Sequence, residues 1–69
     1  MSDSVYKVIE LVGTSTESWE KAAAHAVETA SKQLKNLRIA EVSELDMQLE
    51  DGKIVRYRAK VKVSFRYDH

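Results

Sequence analysis

Ile54-Val55-Arg56-Tyr57-Arg58-Ala59-Lys60-Val61-Lys62-Val63-Ser64-Phe65-Arg66-Tyr67 is the stretch whose reading decides the fold. Its odd positions from Val55 to Tyr67 are apolar and its even positions are mostly cationic, at Arg56, Arg58, Lys60, Lys62 and Arg66. Alternation with a period of two is the signature of a strand with one face buried and one face wet. This run is about twice as long as a typical strand of roughly 5 to 6 residues. It therefore needs a cover of comparable length, and the preceding chain is predicted to supply one helix and two strands.

A chain of 69 residues is expected to form one domain spanning 1–69. A core of that size rarely contributes more than about 3 to 5 kcal/mol without a staple. Cysteine is absent, so neither a disulfide nor a thiolate metal site is available, which suits a reducing cytoplasm. Oligomerisation and a carboxylate-bound ion are the remaining ways to stabilise so thin a fold. Met1-Ser2-Asp3-Ser4 has neither a basic region nor an apolar run, so no signal peptide is expected. No stretch approaches the roughly 18 apolar residues of a membrane span. Eleven basic residues balance eleven acidic ones, which argues against a general nucleic-acid binder.

Residues 5–12 are rich in β-branched side chains and end at Gly13, so they read as a first strand. Both faces of that strand are partly apolar, which predicts a central or doubly covered position. Thr14, Ser15 and Thr16 then offer hydroxyls as helix caps, with Glu17 and Glu20 in the first turn, and the helix is expected to begin near Thr16. Trp19, Ala22, Ala23, Ala26, Val27, Ala30, Leu34 and Leu37 recur at intervals of three and four, a single apolar stripe. Lys21, His25, Glu28, Lys32 and Lys35 take the opposite face. The helix is expected to run to about Asn36, a candidate left-handed cap, over about 20 residues or roughly 30 Å.

Residues 37–49 alternate again. Ile39, Leu45, Met47 and Leu49 are expected on one face, with Ala40, Val42, Glu44, Asp46 and Gln48 on the other. Glu50-Asp51-Gly52 is a hairpin signal. A two-residue Asp51-Gly52 loop would set Leu49 opposite Ile54 and put Leu45 and Met47 on the face of Arg56 and Arg58. A three-residue loop would set Met47 opposite Val55, Leu45 opposite Tyr57, Asp46 opposite Arg56 and Glu44 opposite Arg58. The second register is the one expected, since it leaves one apolar face under the helix. The order strand, helix, strand, hairpin, strand then predicts an α+β protomer, β-α-β-β, with a three-stranded antiparallel sheet wrapped on one long helix. Strand one should lie beside strand three. Its outer face should mix charges with Val8, Ala40 and Val42, a composition suited to a protein interface.

The segments 5–15, the pair Glu41-Val42 and the segment 57–65 resemble the dodecin family. The resemblance covers essentially the whole chain. It implies that β-α-β-β protomers assemble into a hollow homododecamer of cubic symmetry, which in most members binds flavins in pairs at two-fold axes. Where flavin-binding dodecins carry a stacking tryptophan in strand two, this chain has Ile39. Where they carry a glutamine that bonds the flavin ring edge, it has Arg58 after Tyr57. Trp19 does not replace the missing indole, because it lies on the helix stripe that faces the sheet. Ser18-Trp19-Glu20, Glu44 with Asp46-Met47, and Tyr57-Arg58 are similar to the calcium-dodecin branch.

Three functional readings follow. The first is a binder of riboflavin, FMN or another small ligand at two-fold pockets lined by Ile39, Ala40, Met47 and Arg58, where the arginine favours an anionic group. The second is a calcium-binding shell using Glu44, Asp46 or Glu17 at symmetry axes, since calcium takes six to eight oxygens and one protomer holds no EF-hand loop. The third is a ligand-free structural assembly, in which Glu44 and Asp46 simply pair with Arg58 and Arg56. Catalysis is not expected. His25 and His69 lack the nucleophile and orienting partner that nucleophilic chemistry needs, and Gly13 and Gly52 form no phosphate loop.

Overall fold

The structure, a computed structural model, describes residues 3–67. The element order is β1 (Tyr6–Ser15), α1 (Trp19–Gln33), β2 (Leu37–Glu50) and β3 (Lys53–Arg66). The three strands form one antiparallel sheet in the order β1-β3-β2, so the long alternating strand lies in the middle, as expected. Paired residues of antiparallel strands share a face. On one face of β3, Ala59, Val61 and Val63 are buried beneath α1, together with Ala22, Ala26 and Ala30 of the helix. Ile9, Leu11, Ala23, Val27 and Leu37 border that core.

β1 departs from its expected place. It is an edge strand of the protomer, with Val8 and Val12 exposed on the outer face. It also runs through Gly13 to Ser15 instead of stopping at the glycine. Gly13 pairs with Ala59 and sits directly under α1, where a Cβ would overlap the Ala22 carbonyl oxygen and come within 3.0 Å of the Ala26 Cβ. The glycine thus serves close approach of helix to sheet, which is one reason for glycine inside a strand.

The helix is shorter than the periodicity suggests, 15 residues, or about 22 Å at 1.5 Å per residue. Ser18, not Thr16, is the N-cap, its Oγ accepting from the Lys21 N–H at 3.1 Å. Ser15 Oγ accepts from Glu17 N–H at 3.0 Å, turning the chain before the helix starts. Leu34 is already extended at the other end, and Asn36 takes φ 64° between helix and β2. The left-handed asparagine is real. It turns the chain into β2 instead of capping the helix.

The hairpin follows neither simple register. Asp51 (φ 50°) and Gly52 (φ 74°) make a two-residue loop with Leu49 opposite Ile54, the left-handed pair that suits the twist of a hairpin. An irregularity at Gln48/Leu49 then shifts the ladder by one, placing Gln48 opposite Arg56, Met47 opposite Tyr57 and Asp46 opposite Arg58. Two further bulges lie between Leu37 and Ile39 and between Val42 and Glu44. Each extra residue inverts the alternation of the strand that carries it. Ala40 and Val42 therefore join Leu45 and Met47 on the helix side, paired with Val63 and Val61, while Ile39 moves to the outer face opposite Ser64.

The helix covers β1 and β3 and hardly reaches β2. Every residue of β2 after Leu37 is exposed. The protomer measures 54 × 20 × 14 Å with a radius of gyration of 14.4 Å, against about 11 Å for a compact chain of this length. A long β2–β3 arm carrying exposed Val42, Leu45, Met47, Leu49 and Ile54 accounts for the difference.

Candidate functional site

The outer face of the sheet carries the charged chemistry. Asp46 and Arg58 lie opposite each other and bind through two parallel bonds, Nε to Oδ1 at 2.7 Å and Nη2 to Oδ2 at 2.8 Å. One pair further along, Lys60 Nζ reaches Glu44 Oε1 at 2.9 Å. Lys62 stands between Glu10 of β1 and Glu41 of β2. The expected pairing of Asp46 with Arg56 and of Glu44 with Arg58 is displaced by two residues along β3, one from the two-residue loop in place of the expected three-residue one and one from the extra β3 residue between Ile54 and Arg56. Arg56 faces Gln48 instead.

These contacts set the charges. The Arg58 guanidinium holds the Asp46 carboxyl below its ordinary value, and Asp46 in return raises Arg58. Lys60, first through its hydrogen bond and then through its charge, lowers Glu44, which raises Lys60. Glu17 precedes the N-cap and is lowered by its 2.8 Å ion pair with Lys21. All three carboxylates remain charged at neutral pH, and each already has a cation of its own.

The four candidate ligand-contact residues divide between two faces. Ile39 and Arg58 lie on the outer face, whereas Ala40 and Met47 lie on the helix side. Ile39 is 59% exposed and offers an aliphatic surface. Glu44 and Asp46 share the outer face, while Glu17 lies apart, before the helix. Among the described residues no group of three or more His, Asp or Glu side chains converges as a metal site. One protomer thus supplies hard oxygen donors but not a complete calcium shell.

Two contacts were not legible in the sequence. Trp19, expected in the core, is only half-buried at the start of α1; its Nε1–H donates to the Asp46 carbonyl at 3.0 Å and its ring meets Tyr57 edge-on, centroids 5.0 Å apart. A packed indole needs an acceptor for its N–H, but the sequence does not show which one. His25 is exposed as expected, yet its Nδ1 lies 3.2 Å from the Thr14 carbonyl, which requires the proton on Nδ1. His69 lies outside the described residues. A groove of about 750 Å³ runs between β1 and α1 beside His25, lined also by Leu11, Thr14, Glu28 and Lys32. Among the described residues no helix is long and apolar enough to cross a membrane.

The profile of the Dodecin family matches residues 5–68. Calcium dodecin of Mycobacterium tuberculosis is 48% identical over 63 residues, which is 91% of this chain and 89% of that protein. A crystal structure of that organism's calcium dodecin, described as a calcium-chelating immunodominant antigen with a novel calcium-binding site, gives a TM-score of 0.83 at 46% identity over 94% of this chain and 93% of that one. Dodecin from Streptomyces davaonensis gives a TM-score of 0.88 at 40% identity, covering 99% of this chain and 100% of the other. With the same β-α-β-β order, the same sheet and matches along nearly its full length, this chain belongs to the dodecin family.

Proposed function

We infer that this chain is a non-enzymatic dodecin whose copies assemble, twelve to a hollow shell, and that the shell holds calcium at pooled carboxylates in preference to stacking a flavin. The observation that carries the cation reading is the placement of Glu44 and Asp46 together on the open outer face, with aliphatic Ile39 at the position where flavin-binding relatives present a ring. Because one protomer lacks a full set of ligands, the same carboxylates from neighbouring copies must complete it. The name of the mycobacterial relative agrees with this reading.

Assembly is supported by physical argument. A core whose largest fully buried side chains are two valines cannot hold an arm of this length in isolation, and burying each exposed large aliphatic side chain contributes about 1.5 to 3 kcal/mol. Arg58, Lys60 and Lys62 of β3 stand opposite Asp46, Glu44, Glu41 and Glu10, which supports a reading without nucleic acid.

A second reading is a small anionic ligand at Ile39, Ala40, Met47 and Arg58; the exposure of Ile39 supports it, and because Ile39 faces Ser64, six positions along β3 from Arg58, two copies would have to meet to join these residues in one pocket. Native mass spectrometry of the purified protein, with FMN, riboflavin, calcium chloride or EDTA added in turn, separates the readings. A twelve-subunit mass that takes up calcium and ignores flavin is the expected result. Flavin uptake at the two-fold stoichiometry would replace the cation reading with the second one, and a stable monomer would end both.

A further inference from the structure

The chain has one tryptophan, and its place is unusual for a core residue. Trp19 is the first residue of α1, immediately after the Ser18 cap, and it reaches across to β2, the strand that the helix otherwise hardly touches. Its indole N–H donates to the main-chain carbonyl of Asp46. Its ring edge rests on Tyr57, the residue paired with Met47 and adjacent to Arg58 in sequence. The Asp46 main chain and Tyr57, the residue before Arg58, are therefore tied to the helix start through a single side chain.

We propose that Trp19 is a positioning residue for the Asp46 carboxylate: by holding the Asp46 carbonyl and the Tyr57 ring, it fixes the geometry in which both Asp46 oxygens face the Arg58 fork. A bidentate carboxylate–guanidinium pair demands coplanarity. An exposed side chain on an edge strand has no packing of its own to impose that plane. The tie from Trp19 supplies it. A divalent cation at Asp46 would compete with Arg58 for the oxygens that this tie orients, and that consequence alone rests on the calcium reading above.

The test uses the assembled full chain labelled with ¹⁵N-arginine. A bidentate bond shields the Arg58 Nε–H from exchange, and Asp46→Asn identifies that resonance by abolishing it. Trp19→Phe keeps an aromatic ring against Tyr57 but removes the N–H donor. The expected result is an Arg58 Nε–H that exchanges at least tenfold faster in Trp19→Phe, with the same subunit number by native mass spectrometry. An unchanged Nε–H exchange rate in Trp19→Phe overturns the proposal, and so does acceleration seen only together with loss of assembly, since the role is then general support of the fold. Calcium chloride titrated into both proteins provides a separate readout. Accelerated exchange in a protein that binds no calcium upholds the positioning role and defeats the calcium reading alone.

Discussion

Asp46 and Arg58 face each other across β2 and β3 and are joined by two bonds of 2.7 and 2.8 Å, so the arginine is already occupied within its own protomer. The pair has a defined pH signature. Asp46 in the folded chain titrates below its ordinary value of 3.8, chiefly because of the hydrogen bond from Arg58. A carboxyl lowered by folding adds stability above its unfolded value and loses it as pH falls through the lowered one. Asp46→Asn should therefore melt below the parent at neutral pH, and the gap should close as the pH drops below 3.8. Glu44 and Glu17, lowered from 4.5 by Lys60 and Lys21, leave the same acid sensitivity in both proteins. Melting curves across an acid series check this, and a gap that stays constant down to strong acid contradicts it.

Gly13 and Ala22 make the second prediction. A Cβ at position 13 would overlap the Ala22 carbonyl oxygen, which is backbone and cannot swing aside. Gly13→Ala should cost about 1 to 3 kcal/mol, the range for overpacking a tight interior, read as a lower denaturation midpoint of the assembled protein. An alanine variant with the parent's midpoint would show that α1 and β1 are further apart than described.

The exposed arm gives the third. Leu45 pairs with buried Ala59 yet is 52% exposed in the protomer, next to Val42 and Met47 on the same side. If copies cover this face, Leu45→Glu buries a charge without a partner in every copy, a penalty of several kcal/mol. Native mass spectrometry should then show single chains or small fragments of the shell, while Leu45→Met stays assembled. Intact assembly with glutamate at 45 would place the interface elsewhere.

Ile39 carries the fourth. It lies exposed on the outer face, opposite Ser64, and the family resemblance aligns it with the stacking tryptophan of flavin-binding dodecins. Ile39→Trp should raise the affinity for FMN by roughly tenfold to a hundredfold, the equivalent of about 1.4 to 2.7 kcal/mol and within the range of ring stacking. Quenching of flavin fluorescence measures it directly. No gain would mean that position 39 does not face a ring-sized pocket in the assembled protein.

The long strand, its period of two, the alanine-rich helix and the hairpin at Asp51-Gly52 were determined by the sequence itself, because each is a local pattern whose physics acts over a few residues. Strand order followed from connectivity, and family membership from motifs spread along the chain. Which residues share a face did not follow. Bulges at three points along the β2–β3 ladder each displace the alternation by one. Nothing local to Arg38, Ser43 or Val55 announces them, since a bulge arises from how two strands fit together. That is why Ile39 and Ala40 exchanged faces and why Asp46 met Arg58 instead of Arg56. The same limit applies to Trp19. The chain shows an indole on an apolar stripe, but only the tertiary fold brings a carbonyl 27 positions away within 3.0 Å of its N–H, because that distance depends on where β2 lies relative to the start of α1.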